Sequence, residues 1–337
     1  MKRKFENIAI SSRIRLARNV SGFNFFTKLR EEEHAVFIID SVKKVLAKCG
    51  DFDMIRLKDL PLNECNALLE RHIISKELIE NKDISAVLVS PDEHVFVMVN
   101  EEDHIREQCI FDGFDLWKPY FELKKIDDAL LDEIDIAYSS KYGFITSSPA
   151  NLGSAMRASV MMFLPAIERN KDIELIKKEA RSLGFTVRGL YGEGSGTYGS
   201  FYQISNQNSL GKCEKEILEG VFDYVVTICE MELSAREDIL AVNHDELVDE
   251  IFRAYGVLKE SLLLKEEEMI RLLSLVKFGD ALGYLQISDK KAFSRLYIEG
   301  CSANLKEIEN ISGKLKEEVA RSQYISRKIE EIVKKVK

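Results

Sequence analysis

Arginines stand in four segments of this 337-residue chain, each beside acidic, glycine or small polar residues. The segments are residues 11–15, 100–106, 151–157 and 188–193. They flank short apolar runs, such as Val95–Val99 and residues 142–145, that are typical of buried strands. An arginine at the end of a buried strand needs an anion, because its guanidinium stays charged. The pattern therefore predicts a fold in which strand ends present arginines to an anionic ligand.

Two carboxylates, Glu102 and Glu193, lie within the same segments. A nucleotide triphosphate is the ligand that the arginines favour, because the planar guanidinium fork binds phosphate oxygens in pairs. The carboxylates would then hold a cationic substrate against the phosphate.

Composition argues against several classes of protein. The formal charge of −9 argues against a general nucleic-acid binder, which usually has a basic face. The six cysteines have no CxxC or zinc-site spacing, so we expect reduced thiols and a cytoplasmic protein. The N-terminus lacks the apolar segment of a signal peptide, and no apolar run approaches the ~20 residues that span a membrane.

The apolar pattern predicts an α+β fold with a largely antiparallel sheet flanked by helices. Helices are predicted at residues 31–49, 62–80, from about 102, at 121–135 and at 154–169. Strands are predicted at residues 86–90, 95–99, 143–146, 185–188 and 200–205.

A second domain is predicted where the composition changes after about Ser234. Proline is absent beyond Pro165, and leucine, isoleucine, glutamate and lysine dominate at helical spacing. We therefore predict one domain over residues 1–235 and an all-helical domain over residues 236–337. The last helix is expected at about residues 305–337.

Three motifs carry a resemblance to a known family. They are NEEDHIR at residues 100–106, SSPANLGSAMRAS at 147–159 and RGLYGEG at 188–194. In this order they resemble the ATP:guanido phosphotransferases, the creatine and arginine kinase family, over roughly the first 235 residues. The start at Ser11-Ser12-Arg13, the stretch at 203–207 and the helical C-terminal region are most similar to bacterial protein-arginine kinases. The resemblance implies a guanido-kinase catalytic domain over residues 1–235 and a dimerisation or regulatory domain after it.

The resemblance also implies site residues, with ATP and Mg²⁺ as cofactors and Mg²⁺ held mainly by the ATP phosphates. Nucleotide binding is expected at Ser11, Ser12, Arg13, Ile14, Arg15, His72, Arg106, Arg157, Ala158, Ser159, Val160, Met161, Arg188, Gly189, Leu190, Tyr191, Gly192 and Glu193. Catalysis is expected at Glu102, Glu193, Ser148 and Arg188. Arg18 follows the same motif, but we interpret it as structural.

Some of these residues have a structural alternative. Glu102 lies in a Glu-Glu-Asp run that often marks only the start of a helix, and Glu193 would then cap a turn. His72 would be structural, and His104 is expected to brace the turn rather than transfer protons. Residues 194–199 spell GxGxxG, but a strand rather than a helix is predicted after them, so we reject a dinucleotide site and predict a flexible loop.

The chain departs from the family pattern at two places. Ser148 stands where the family has a reactive cysteine, so a neutral hydroxyl replaces a thiolate and reduced activity is expected. The stretch that begins at Arg321 keeps only the first arginine of the family's phosphoarginine-binding motif, so we do not transfer that site.

The resemblance favours protein arginine as the acceptor. Kinases of free creatine or arginine carry a helical domain before the first arginine motif, whereas only residues 1–10 precede it here. Two alternatives stay open: a weakly active or non-catalytic regulator that binds nucleotide or arginine, and a kinase of a free guanidino compound. Expected partners are proteins with exposed arginine, an activator protein, the Clp protease machinery of protein quality control, and a second copy in a homodimer, with neither nucleic acid nor membrane.

Overall fold

The computed structural model describes residues 4–25, 32–190, 198–309, 311 and 314–336. Its chain divides into two compact units, each built from separate stretches of sequence. The first consists of Met1–Met162, Leu175–Val187 and Gln203–Cys229, and the second of Phe163–Glu174, Arg188–Tyr202 and Glu230–Lys337. The predicted boundary at residue 235 falls inside a helix, Glu214–Val242, and the division at that residue stays a prediction.

The strands form one large sheet and two small pairs. In chain order they are β1 Ala9–Arg18, β2 Asp53–Arg56, β3 Ala86–Val89, β4 Val95–Val99, β5 Ile105–Asp112, β6 Tyr138–Ser139, β7 Gly143–Phe144, β8 Met156–Phe163, β9 Phe185–Gly189, β10 Phe201–Asn206, β11 Leu285–Ile287 and β12 Val333–Lys335. The large sheet has the order β2-β3-β4-β5-β1-β8-β10-β9. Antiparallel pairing from β2 through β8 confirms the predicted largely antiparallel sheet.

The helices are α1 Glu32–Cys49, α2 Leu62–Glu70, α3 Lys76–Glu80, α4 Trp117–Glu133, α5 Pro165–Arg169, α6 Ile173–Ser182, α7 Glu214–Val242, α8 His244–Glu260, α9 Glu266–Ala281, α10 Lys290–Glu299, α11 Ser302–Glu309 and α12 Lys314–Ile332. The predicted helix at 62–80 is two helices, because His72 adopts φ 60 between them. Among the described residues, no helix combines the length and apolar character needed to cross a membrane.

The two faces of the sheet are covered differently in the first unit. Helix α4 contacts β1 and β5 on one face, and α1 packs beside it. On the other face, α2 and α3 bury the side chains of β3 and β4 in an apolar cluster that includes Leu68, Leu78, Phe96 and Met98. This apolar cluster ends near Ile110. Polar side chains of β5, β1 and β8 line the neighbouring part of the same face.

Two helix predictions were wrong. The helix expected from about 102 is a turn followed by β5, and the helix expected at 154–169 is β8 followed by the short α5. Alanine, methionine and glutamate favour helix locally, but pairing of both segments with β1 overrides that preference. The two half-buried residues of β8, Arg157 and Met161, are four positions apart and so lie on the same face of the strand.

In the second unit, the C-terminal part is largely helical. The helix expected at 305–337 is instead α11 and α12, and the chain ends in β12, which pairs with β11. Buried Glu232 of α7 accepts hydrogen bonds from the backbone nitrogens of Ala166 at 3.2 Å and Ile167 at 3.0 Å, and it pairs with Arg236. This carboxylate therefore satisfies the start of α5.

Candidate active site

Four arginines lie on one face of the sheet, which we call the arginine face: Arg13 and Arg15 of β1, Arg106 of β5 and Arg157 of β8. Arg15 is directly opposite Arg157 on one side, and Ala17 of the same strand is opposite Arg106 on the other. Directly paired residues point to the same side of a sheet, and so do alternate residues of one strand. The fold therefore gathers arginines that are far apart in sequence.

The arginine face holds more positive charge than its own acids neutralise. Burial and the charges of Arg106 and Arg157 together lower the pKa of Arg13 to about 9, against the opposing effect of Glu101. The same causes, together with Arg13 itself, bring the pKa of Arg15 well below its usual value. The Nε atoms of Arg13 and Arg15 are buried without a hydrogen-bond partner. Such a surface suits a multiply charged anion, whose oxygens would use these donors.

Three neighbouring side chains orient these guanidinium groups. Arg106 Nη1 donates to Glu101 Oε1, and Arg13 Nη2 donates to Gln108 Oε1. Arg157 Nε donates to Ser205 Oγ at 3.2 Å. Sequence reasoning missed Glu101, Gln108 and Ser205. Glu101 stands inside the NEEDHIR motif, but Gln108 could be found only if the segment after Glu102 were recognised as a strand.

His72 lies beside the arginine face, and its role in nucleotide binding stays a prediction. Burial lowers the pKa of His72 to about 4, and the charge of Arg13 contributes to the shift. The imidazole is therefore neutral at physiological pH. Its left-handed backbone places it in the break between α2 and α3.

Glu102 lies in the turn between β4 and β5, where its side chain is exposed. Its backbone N–H donates to Glu101 Oε2 at 3.0 Å, and its carbonyl accepts from Ser147 Oγ at 2.8 Å. Partial burial raises the pKa of the Glu102 carboxyl, and the carboxylates of Asp103 and Glu101 raise it further. Because no helix starts here, the structural alternative of a helix-start charge does not apply to Glu102.

Buried polar groups hold this turn in place. Asp103 Oδ1 accepts from Asn19 Nδ2 and from the backbone N–H of Ser147, both at 2.7 Å. His104 Nδ1 accepts from Val20 N at 3.1 Å, and its Nε2 donates to the carbonyl of Asn24 at 2.9 Å. Burial lowers the pKa of His104, so the ring is neutral and braces the turn as predicted.

Ser148 directly follows Ser147, a residue that contacts this turn. Its neighbour Ser147 contacts both Glu102 and Asp103, and the short 3₁₀ helix Pro149–Asn151 begins directly after Ser148. Ser148 is half-buried, and it carries a hydroxyl group where the family resemblance places a thiol.

Some predicted binding residues face away from the arginine face. Strand alternation places Ser12 and Ile14 on the opposite side, where Ser12 Oγ donates to the Gly113 carbonyl at 2.8 Å. Ala158 and Val160 are likewise buried on that side. These four side chains therefore point away from the arginines, and a part in nucleotide binding stays a prediction for their residues. Ser11, Ser159 and Met161 lie on the arginine face.

The third arginine motif belongs to the second unit. Arg188 and Gly189 are exposed at the end of β9, and Leu190 donates its N–H to the carbonyl of Phe201 at 3.0 Å. Tyr191, Gly192 and Glu193 lie outside the described residues, as does most of the predicted flexible loop. The roles predicted for these residues, and for Arg188, stay predictions.

Two other arginines of the motifs are structural. Arg18 is buried and donates to both carboxylate oxygens of Asp127, at 2.8 and 2.9 Å, beneath the ring of Phe144. Arg321 is buried among carbonyl and carboxylate oxygens of the second unit. Within the part of the chain that the structure describes, no group of three or more His, Cys, Asp or Glu side chains is placed to hold a metal ion.

Comparison with known families gives two matches. Residues 37–235 match the ATP:guanido phosphotransferase C-terminal catalytic domain, and residues 244–337 match the C-terminal domain of protein-arginine kinase McsB. A protein-arginine kinase of Clostridium acetobutylicum is 40% identical over 328 residues, which cover 96% of both chains. One from Shouchella clausii is 39% identical over 297 residues, covering 87% of this chain and 83% of the other.

Solved structures show the same fold. The duplicated taurocyamine kinase of Schistosoma mansoni, with transition-state analogue components bound, matches with a TM-score of 0.64 at 22% identity. The match covers 76% of this chain and 39% of that chain. Lombricine kinase matches with a TM-score of 0.59 at 22% identity, covering 69% and 68%. On the family match and the identity to these relatives, the chain belongs to the ATP:guanido phosphotransferase family.

Proposed function

We propose that this chain is a protein-arginine kinase, which transfers the γ-phosphoryl group of ATP to arginine side chains of proteins. One observation carries the proposal: four half-buried arginines share a sheet face, two of them with buried Nε atoms that lack a partner, and an exposed carboxylate of raised pKa stands in the turn beside them. Relatives that match almost the whole chain are named protein-arginine kinase, which supports protein arginine as the acceptor.

The arginine face would bind the triphosphate. Arg13 and Arg15 offer unused N–H groups, and Arg106 and Arg157 add charge on either side of β1. Phosphoryl transfer depends chiefly on positioning and on stabilising charge on the phosphoryl oxygens. Mg²⁺, held mainly by the phosphates of ATP, would supply further neutralisation when bound. Arg188 is the proposed fifth arginine.

Glu102 would act on the acceptor. A guanidinium nitrogen attacks the γ-phosphorus and forms a P–N bond, while the bond to the oxygen that bridges the β- and γ-phosphates breaks. The electron pair of that bond leaves with ADP, and the proton of the nitrogen passes to the Glu102 carboxylate. The raised pKa of Glu102 makes it a better proton acceptor than an ordinary carboxylate. Glu193 is proposed as the second carboxylate that holds the guanidinium.

Incubation with Mg-ATP and an arginine-rich protein tests the proposal. We expect ADP release together with acid-labile phosphoarginine on the acceptor, detected by mass spectrometry at neutral pH. The matched acceptor with every arginine changed to lysine should receive no phosphate. Phosphorylation of free arginine but not of the protein would instead support the kinase of a free guanidino compound, and absence of both products would contradict a kinase.

A regulator that binds nucleotide or arginine is the second candidate, and Ser148 favours it. A thiolate would place negative charge near the guanidinium, whereas the hydroxyl is neutral. If the chain is a kinase of reduced activity, Ser148→Cys should raise turnover severalfold at nearly constant ATP affinity. Equal or lower turnover in this variant would mean that the site has adapted to serine or has left catalysis.

The proposal extends to compartment and partners. The six cysteines are free thiols, as expected in a reducing cytoplasm. We propose proteins with exposed arginine as substrates, an activator protein and the Clp protease machinery as partners, and a homodimer as the assembly. Size-exclusion chromatography with light scattering at micromolar concentration would test the homodimer, which a monomeric mass would contradict.

A further inference from the structure

Gln108 is a fully buried amide among arginines. It lies two residues after Arg106 on β5 and directly opposite Arg15 of β1, so its side chain points into the arginine face. None of the motifs covers this position. Its neighbours on the arginine face are positively charged, whereas Gln108 itself is uncharged.

Both ends of this amide have a partner that fixes its orientation. Oε1 accepts from Nη2 of Arg13, and Nε2 donates to the backbone carbonyl of His72 at 3.0 Å. Arginine can only donate and a carbonyl can only accept, so the reversed amide would lose both hydrogen bonds. Gln108 therefore joins a side chain of β1 to the backbone between α2 and α3.

The carbonyl that Gln108 contacts belongs to a residue in an unusual conformation. His72 has φ 60, which residues other than glycine seldom adopt, and it lies between the end of α2 and the start of α3. A hydrogen bond to this carbonyl holds the peptide unit after His72 and so helps to fix the direction of its ring. The ring lies close enough to Arg13 to be affected by the charge of that arginine.

The neutrality of Gln108 matters as much as its hydrogen bonds. Arg106 already has a carboxylate partner in Glu101, whereas Arg13 is held by an amide. A carboxylate at position 108 would also hold Arg13, but it would cancel positive charge next to Arg15. An amide orients the guanidinium and leaves its charge available to an anion.

We propose that Gln108 is a positioning residue of the nucleotide site, which orients Arg13 without neutralising it and couples it to His72. This inference rests on the proposed function, because it takes ATP as the anion. It predicts that Gln108 affects affinity for ATP and leaves recognition of the protein acceptor alone.

The test compares Gln108→Met, which removes both hydrogen bonds at similar volume, with Gln108→Glu, which adds a charge. Gln286→Glu makes the same chemical change on the exposed strand β11 and serves as the control. We expect the KM for ATP to rise about tenfold in Gln108→Met, because Arg13 loses its charge-assisted hydrogen bond, and further in Gln108→Glu, because the added carboxylate neutralises positive charge that the phosphates would use. The KM for the protein acceptor should stay constant, and the control should match the wild type.

The outcomes separate this inference from the function on which it rests. A wild-type chain that neither binds nor uses ATP would refute the proposed function. A wild-type chain that uses ATP, with an unchanged KM for ATP in Gln108→Met, would overturn the role of Gln108 alone. Loss of folding in both variants, measured by circular dichroism, would also overturn it, because the residue would then serve the fold rather than the site. If only Gln108→Glu fails to fold, the KM for ATP of Gln108→Met alone tests the proposed role of Gln108.

Discussion

Arg321 of the second unit and the arginine face of the first unit are surrounded in opposite ways. In the second unit, Arg321 of α12 is 1% exposed and uses each of its nitrogens. Nε donates to the Gly300 carbonyl at 2.6 Å, Nη1 to the Leu264 carbonyl at 3.1 Å, and Nη2 to the Glu317 carboxylate at 2.7 Å. Each nitrogen of Arg321 therefore has an acceptor within the second unit.

On the arginine face of the first unit, by contrast, Arg13 and Arg15 lack a full set of partners. The Nε atoms of Arg13 and Arg15 are buried without partners, and their nearest charged neighbours include other arginines. Folding therefore leaves unfavourable electrostatics there that an anion would relieve, whereas the surroundings of Arg321 are complete in themselves. Burial alone thus does not identify a binding arginine; the balance of donors and acceptors around it does.

The largest effect is expected from Glu102→Gln, which should lower phosphoryl transfer by about 10²–10⁴-fold while ATP affinity stays nearly constant. The amide keeps the shape of the side chain but cannot accept the proton. Turnover and ATP binding should be measured on the same preparation. A variant that keeps most of its turnover would show that Glu102 is only a turn residue.

Arg321→Met should chiefly cost stability. Its removal leaves the buried carbonyls of Gly300 and Leu264 without this donor, while Glu317 keeps Ser302 and Lys306 as partners, so the free energy of unfolding should fall by about 2–4 kcal/mol. Chemical denaturation measures this loss. Weakened ATP affinity in a chain that remains folded would contradict the purely structural role.

Arg15→Met should chiefly weaken ATP binding and cost little stability. Its removal relieves repulsion by Arg13, Arg106 and Arg157, so the free energy of unfolding should change by less than about 1 kcal/mol or even rise. Affinity for ATP should fall about tenfold or more, since a charge-assisted hydrogen bond is worth about 1.5–3 kcal/mol. A large loss of stability with unchanged affinity for ATP would show that Arg15, like Arg321, has a structural role.

The smallest effect concerns His72 and pH. Its pKa is lowered from 6.5 to about 4, so the unfolded chain binds this proton more readily between those values. Stability should therefore decline as pH falls from about 6.5 to 4, by about 1–3 kcal/mol for this group after allowance for partial exposure. Asparagine tolerates the left-handed backbone, and in His72→Asn the stability should decline less steeply with falling pH. An identical decline would show that the pKa of His72 is not lowered in the folded chain.

Sequence reasoning succeeded where local pattern determines the outcome. The spacing of Val42, Val45 and Leu46 predicted α1, and the β-branched run Val95–Val99 predicted β4. The strand expected after the GxGxxG stretch is β10, which excludes a dinucleotide site there. Four arginines that the motifs predict to act together, Arg13, Arg15, Arg106 and Arg157, lie on one face of the sheet, while their role as a site stays a prediction.

Sequence reasoning failed where contacts between residues distant in sequence determine the structure. Strand β8 carries alanine and methionine, which favour helix alone, and becomes a strand through pairing with β1. Without that pairing, alternation could not show that Ser12 and Ile14 face away from the arginines. Gln108 was missed for the same reason, because its role depends on Arg13 and His72 meeting across the fold.

Thermal unfolding with and without saturating Mg-ATP tests the central claim most directly, namely that the arginine face is an incomplete site that an anion completes. At a ligand concentration of about 100 times Kd, the wild-type chain should gain about 2.7 kcal/mol. Arg15→Met should gain clearly less at the same concentration. Equal stabilisation of both chains, or none in the wild type, would contradict the account.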